Sequence, residues 1–555
     1  MKNKNNSALL LRGSVALLLS FSLVAAGCSN NGSSNDRQAS TNTPASTSTS
    51  EPVVDDKSQK HTLSIASYHL SPTDKDGALV QYVNDKYNVE LDILNIENNK
   101  YEELLNLKFA SGEIPDRMQV RSFGSLQKYI KSDVLAEIPE DLLKEHAPTL
   151  YASLEKSFPD IFKYSKIDGK LYGIPYVVPQ GEHRAPLVYR GDWMAKVGVD
   201  KAPETLEEFE ALMYKFALED PDGNGKKDTY GLSYSAMAAV FGAFGYMPDI
   251  FNGDKGNDQL IWQERDGQLV YSGIQPEMKE ALTLLNKWFK DGVIDPEFIT
   301  GENQGGNWAL SHAFINGRIG TSGQGYFYHW IPKLGSKNSG LNFTELGKLN
   351  SAAAEAIIQG TPPVGKDGKQ GMWQQNMMSG SFVSFGKHIE NEPGKLIRML
   401  EMLETMNATY HERSIMWYGL EGTHWHYVEE DGQKAATQID PKTHTAAEMA
   451  KLGGHLVINP FQMLEHQNID NKLRNEFGAA NKLNENGIQN KLLTALESEG
   501  KYRAELEKLQ EEAYITIVTG DKPISYFDEF VEKWRKAGGE QLEKEANEWY
   551  ATINK

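Results

Sequence analysis

Apolar residues alternate from Leu63 to Ser67 and again from Val89 to Leu94, the period of a half-buried strand. Between them Leu79, Val80, Val83 and Tyr87 fall on one side of a helix. Strand, helix, strand predicts a parallel pair. A second helix-to-strand unit follows: Leu104, Leu105 and Leu107 lie within Tyr101–Ala110, Ser111-Gly112 stops the turn, and Ile114-Pro115-Asp116 leads into Met118–Val120. Leu171–Tyr176 and Ala185–Arg190 are extended apolar runs flanking a polar loop. Thr205 with Glu208 forms a capping box for a helix to about Leu218. Further helices are predicted at Glu277–Lys290, Lys395–Met406, Lys501–Ile517, Tyr526–Lys536 and Leu542–Ile553. The alternation makes the fold class α/β.

The two ends of the pattern differ from its middle. Lys2, Lys4 and Arg12 precede an apolar run from Val15 to Ala26 that is too short for a membrane span of about 20 residues, so 1–27 is expected to be a signal peptide. The run ends in Ala25-Ala26-Gly27 before Cys28, the only cysteine, which excludes an intramolecular disulfide and a Cys-based zinc site. Residues 28–60 are mostly Ser, Thr, Asn and Asp and are expected to be a disordered tether. The remaining roughly 495 residues exceed the limit of about 250–300 for one core, so at least two lobes are expected. With 57 Lys and Arg against 76 Asp and Glu, the net charge of -19 disfavours a nucleic-acid partner.

Six segments in order, Ala110-Ser111-Gly112-Glu113-Ile114-Pro115-Asp116, Gly169–Tyr176, Leu187–Trp193, Ile294–Phe298, Tyr418–Trp425 and Gly520–Tyr550, resemble family 1 extracellular solute-binding proteins. More narrowly the chain is similar to the large lipoproteins that Gram-positive soil bacteria pair with two oligosaccharide permease subunits. Ala25–Cys28 resembles a lipobox, which implies diacylglycerol on the Cys28 thiol and an acyl chain such as palmitate on its amine. The resemblance implies a two-lobed periplasmic-binding-protein-like fold whose lobes are joined by crossing strands, the first crossing between Tyr176 and Ala185. The corresponding division is 61–180 as the first part of the N-terminal lobe, 181–377 as the C-terminal lobe, 378–415 as a return to the first lobe, and 416–555 as second lobe and terminal helices. It also implies a monomer on the outer face of the cell membrane that meets permease subunits, with the ATPase on another chain.

Two constellations carry chemistry. Asp220, Asp222, Asn224 and Asp228 occupy positions 1, 3, 5 and 9 of a calcium loop, with Gly225 at 6 and the Lys226 carbonyl at 7. Gly231 replaces the bidentate Glu of position 12, and Thr229 stands where relatives often carry an acid. A structural Ca²⁺, distant from the ligand, is expected; the alternative is a polar Asp/Asn/Gly turn. For sugar, aromatic rings must lie beside amides and carboxylates, as near Trp308, Trp330, Trp373 and Trp425. Trp330 and Trp425, with Glu421 and His424, are the preferred ligand residues because their segments correspond in order to cleft-facing regions of the family. Asp116 and Tyr176 join them because strand C-terminal ends face the crevice in open sheets. Trp193 and Trp288 read as packing.

Glu182, Glu302 and Glu421 do not make a recognisable hydrolase pair, and His424 and His426, expected on one face of a strand, make a poor zinc site alone. The expected function is therefore non-catalytic: capture of an oligosaccharide by hinge closure for an ABC transporter. A surface glycosidase or polysaccharide lyase, a glycan sensor without transport, and a peptide-binding protein are the alternatives that use the same residues.

Overall fold

The computed structural model describes residues 54–553 apart from 70–71, 178–185, 252–259, 304–307, 335–337, 375–377, 431, 441–444, 454–460, 462 and 484. The signal segment, Cys28 and Glu182 lie outside the described residues. No described helix is long and apolar enough to cross a membrane.

The predicted opening pattern becomes a five-stranded sheet in the order Val89–Glu97, His61–His69, Arg117–Val120, Met378–Phe385, Ile174–Val177. The first three strands are parallel, and Met378–Phe385 enters antiparallel to both its neighbours. A second sheet of four strands runs Ile357–Gly360, Leu187–Arg190, Ile319–Ser322, Tyr230–Leu232. The chain leaves the first sheet at Val177 and enters the second at Leu187, with 178–185 between them. It returns from Gly360 to Met378. A third passage falls near Asn471: Asp470 is paired with Arg413 on the first lobe, while Phe477 packs near Phe327 and Ile331 on the second.

Each sheet has its own core. Around the first lie Leu63, Val120, Phe382 and Leu400. Around the second, Pro276–Lys290 and Glu499–Thr519 pack together, burying Trp193, Trp288 and Trp534. Trp425, Met449 and Phe461 belong to the first core, although 416–555 was expected with the second. Apolar residues on the hairpin of Trp425–Glu430 and Gln433–Gln438 find the helices of 393–418, which are already committed to the first sheet.

Local chemistry explains most boundaries. Thr205 accepts from the Glu208 amide and Glu208 accepts from that of Thr205, and this capping box starts Leu206–Leu218. The run expected as one strand over Leu171–Tyr176 divides into Lys170–Leu171 and Ile174–Val177. Gly173 lies at the break, where a Cβ would sit 2.8 Å from Phe382. The helix expected over Tyr526–Lys536 ends at Trp534, and the chain bends at Gly538 with φ 125.

The segment expected to stay disordered to residue 60 is ordered from its last polar residues onward. Asp55 and Arg398 are both buried, with Arg398 Nε and Nη2 donating to the two carboxylate oxygens at 2.5 and 3.0 Å. Arg398 also donates to the carbonyls of Tyr87 and Asp56, and Lys57 bridges Asp55 to Glu401. Composition misses this because charge pairing, rather than apolar burial, does the ordering. Burial would raise the Asp55 pKa, but hydrogen bonds from Arg398, Lys57 and His61 hold it at about 2.

Removing one partner would strand the other charge, so Arg398→Ala should cost about 3–5 kcal/mol in denaturant unfolding. Because the Asp55 carboxyl titrates lower in the folded chain, its contribution is complete above its ordinary 3.8 and is lost as pH falls toward about 2. The melting-temperature gap between wild type and Asp55→Asn should therefore close over that window.

Candidate ligand-binding site

The six residues expected to hold ligand do not converge. Trp425 is fully buried, donates from Nε1 to the Gly419 carbonyl at 2.6 Å, and meets Tyr427 edge-on. His424 precedes the strand that begins at Trp425, so it does not share a strand face with His426; its Nδ1 accepts from the Leu420 amide at 3.0 Å. Gly419 has φ 95 and a Cβ there would strike His424, so these residues build a tight turn. Glu421 projects from that turn and lies 3.7 Å from His411. Trp330 is also buried, in a separate small core with Phe314, and donates to the Gln324 carbonyl at 2.8 Å.

Asp116 sits at the wrong end of its strand. It precedes Arg117–Val120, accepts from the Ser64 amide and hydroxyl at 2.6 and 2.9 Å, and pairs with His388 at 2.8 Å and Lys395 at 3.4 Å. Burial opposes its ionisation, but these donors lower its pKa. Asp116, His388 and Glu392 approach one another as metal ligands would, but Lys395 pairs with both carboxylates. Tyr176 keeps its place near the strand end before the first crossing, with its ring stacked on Phe461 at 4.6 Å.

The exposed indole is Trp308, 43% accessible, among those weighed from the sequence but not preferred. It lies edge-on to Tyr326 at 5.0 Å and to His329 at 5.5 Å, and Tyr328 continues the cluster at 4.4 Å from His329. Its carbonyl accepts from the Asn303 and Gln324 amides, which fix the loop while leaving the ring open. Below it Glu302 is buried and accepts from the Ser235 amide and the hydroxyls of Ser235, Ser311 and Ser322. That network anchors the start of the Trp308 loop. A small cavity of about 80 Å³ is lined by Tyr234, Glu302, Asn303, Trp308 and Gln324.

Beyond His329 a cavity of about 190 Å³ lies between Tyr328 and Gly340 on one side and Ala435 and Asp470 on the other. Arg474 lines it, its guanidinium 4.3 Å from the Tyr328 ring. Burial, and then the Arg474 charge, lower the His329 pKa to about 4, so its imidazole is neutral at ordinary pH. Aromatic rings and a cation thus follow one another from Trp308 through His329 and Tyr328 to Arg474. The sequence signal was the run Glu302-Asn303-Gln304-Gly305-Gly306-Asn307 before Trp308, too rich in Gly and Asn to bury the ring that follows.

The acidic loop is compact. Asn224 Nδ2 donates to Asp222 at 2.7 Å and to Asp228 at 3.1 Å, the Gly225 amide donates to Asp220 at 3.0 Å, and the Lys226 amide donates to the Asn224 side-chain Oδ1 at 2.8 Å. Burial and the neighbouring carboxylates of Asp228 and Asp220 push the Asp222 pKa up, whereas the Gly225 amide lowers that of Asp220. Asp220 Oδ1 is buried without a hydrogen-bond partner, as an oxygen awaiting a cation would be. Gly231 cannot be the missing Glu, since a Cβ there would lie 2.8 Å from Met213. Thr229 is buried and donates to the Phe216 carbonyl at 2.9 Å, so it supplies no ligand. The oxygen donors fit Ca²⁺ with Asp220, Asp222, Asn224 and Asp228 as side-chain ligands.

Residues 78–337 match the family of bacterial extracellular solute-binding proteins. The polygalacturonan/rhamnogalacturonan-binding protein YtcQ of Bacillus subtilis is 27% identical over 87% of this chain and 89% of its own. Among solved structures, an extracellular solute-binding protein of Bifidobacterium longum subsp. infantis superposes with a TM-score of 0.67 at 14% identity, covering 90% of this chain and all of its own. An EF-hand mutant of the S. pneumoniae ABC-transporter substrate-binding protein FusA, in complex with fructo-nystose, does so with a TM-score of 0.59 at 16% identity, over 89% and 99%. Residues 78–337 thus resemble the bacterial extracellular solute-binding proteins, and two sheets with separate cores and chain crossings between them agree with that match.

Proposed function

We propose that the chain captures an oligosaccharide between its two lobes and delivers it, unmodified, to the permease subunits of an ABC transporter. The observation that carries this reading is the exposed Trp308 ring, held open by Asn303 and Gln324 beside Tyr326 and His329. A pyranose offers its C–H face to an indole, and its hydroxyls to amides and phenols. Closure of the lobes is favoured by the ligand through contacts available only in the closed state. The similarity to YtcQ, named for polygalacturonan and rhamnogalacturonan, supports a polysaccharide-derived ligand. Non-catalytic binding is supported by Glu302, whose oxygens are engaged by serines.

A structural Ca²⁺ held by Asp220, Asp222, Asn224 and Asp228 belongs to the same reading. It would neutralise the three carboxylates and fix the turn after Leu206–Leu218. The FusA relative described as an EF-hand mutant supports it. So does the anchor: Cys28 after a short apolar run suits lipid attachment that tethers a monomer at the outer face of the membrane, beside its permease.

Truncating a central stacked indole removes on the order of 2 kcal/mol, so Trp308→Ala should weaken oligosaccharide binding tens-fold in calorimetry while the fold survives by circular dichroism. Trp425→Ala should instead lower stability by about 3–5 kcal/mol, because it empties a core. Wild-type affinity in Trp308→Ala would move the site elsewhere, and shortened products from a labelled oligosaccharide would favour an enzyme. Chelator should lower the melting temperature and calcium restore it, with Asp228→Ala losing the response; a melting curve indifferent to both would leave only a turn. Cys28→Ser should shift the protein from the detergent phase to the aqueous phase or leave it unprocessed, and unchanged partitioning would count against the anchor.

A further inference from the structure

The cavity beside the Trp308 cluster contains a cation that the fold does not consume. Arg474 stands near the start of the helix Lys472–Ala480, half-buried, with its guanidinium 4.3 Å from the Tyr328 ring. It makes no ion pair among the described residues. The one carboxylate lining the cavity, Asp470, is already committed: Arg413 Nη1 donates to it at 2.5 Å and the Tyr410 hydroxyl at 2.6 Å. Such economy contrasts with the rest of the molecule, where Arg190, Arg318, Arg398, Arg413 and Arg503 each hold a carboxylate.

A guanidinium resting on a phenol ring is desolvated on that face and keeps its N–H fork for a planar anion. The place is contiguous with the sugar surface: Tyr328 is 4.4 Å from His329, and His329 is 5.5 Å from Trp308. A ring stacked near Trp308 can therefore extend along the cluster toward Arg474. Asn338 and Asn471 line the same cavity.

We propose that the oligosaccharide carries carboxylates, as a uronic acid does, and that Arg474 is the residue that selects it over its neutral counterpart. The inference rests on the oligosaccharide reading above. The overall charge of -19 does not oppose it, because in physiological salt charges act over only about 8 Å and the local cation prevails.

The test compares a galacturonic acid trisaccharide with its carboxyl-reduced galactose counterpart, by calorimetry on wild type, Arg474→Gln and Arg474→Lys. Wild type should prefer the acid by about tenfold or more, the range expected of a hydrogen bond to a charged group. Arg474→Gln should erase that preference while leaving affinity for the reduced sugar within about twofold, and Arg474→Lys should retain part of it, since a point charge replaces a fork. Melting temperature within experimental error of wild type would exclude a merely structural role. Equal binding of both sugars by wild type, or an acid preference that survives in Arg474→Gln, would overturn the assignment and leave the oligosaccharide reading standing. Binding of neither would also overturn the acidic-sugar assignment, whereas the oligosaccharide reading fails only if no oligosaccharide, acidic or neutral, is bound or if a labelled one is shortened.

Discussion

The strand Met378–Phe385 is the constraint on which the architecture depends. It lies between Arg117–Val120 and Ile174–Val177 in the first sheet, yet it is separated from both in sequence by the whole second sheet. Strand hydrogen bonds cannot be left unmade in a buried sheet, so the chain must return after building its second lobe. That return makes two linked bodies out of one chain and sets a crevice between them. The same insertion puts the carboxylates and rings of either lobe at the mercy of a few connecting residues, which suits a protein that closes around a guest.

Much of this was legible from periodicity. The opening strands and helices, the capping box at Thr205 and the long helices near 276–290 and 499–519 all follow from apolar spacing and short-range caps, which depend on neighbours in sequence. The α/β class followed from alternation, and the two-lobed arrangement from the family resemblance. The grouping of Trp425, Met449 and Phe461 with the first core was not legible, because which lobe a hairpin joins is decided by contacts hundreds of residues apart. Order at Asp55 was hidden for a related reason: its partner is Arg398.

The site was legible in kind and not in position. Of the indoles expected beside amides, Trp330 and Trp425 satisfy their own N–H groups on nearby carbonyls and disappear into cores, while Trp308 remains open. Sequence cannot separate these cases, since all three sit near polar residues and burial depends on what packs above them. Asp116 fell to the direction of its strand, which placed it at the end that begins rather than the end that faces the crevice. The acidic loop was easier to read because its carboxylates lie within nine residues and its hydrogen bonds are local.

The clamp between Asp55 and Arg398 also determines where the chain ahead of the first strand tolerates a cut. Every carboxylate and guanidinium bond of the clamp lies at or beyond residue 55, and Lys57–Gln59 is exposed just after it. Proteolysis ahead of Val54 therefore leaves every bond of the clamp in place. A nick only a few residues later severs the Asp55 carboxylate from the body and abandons a buried arginine. Two cleavage sites less than ten residues apart thus divide a harmless cut from a damaging one.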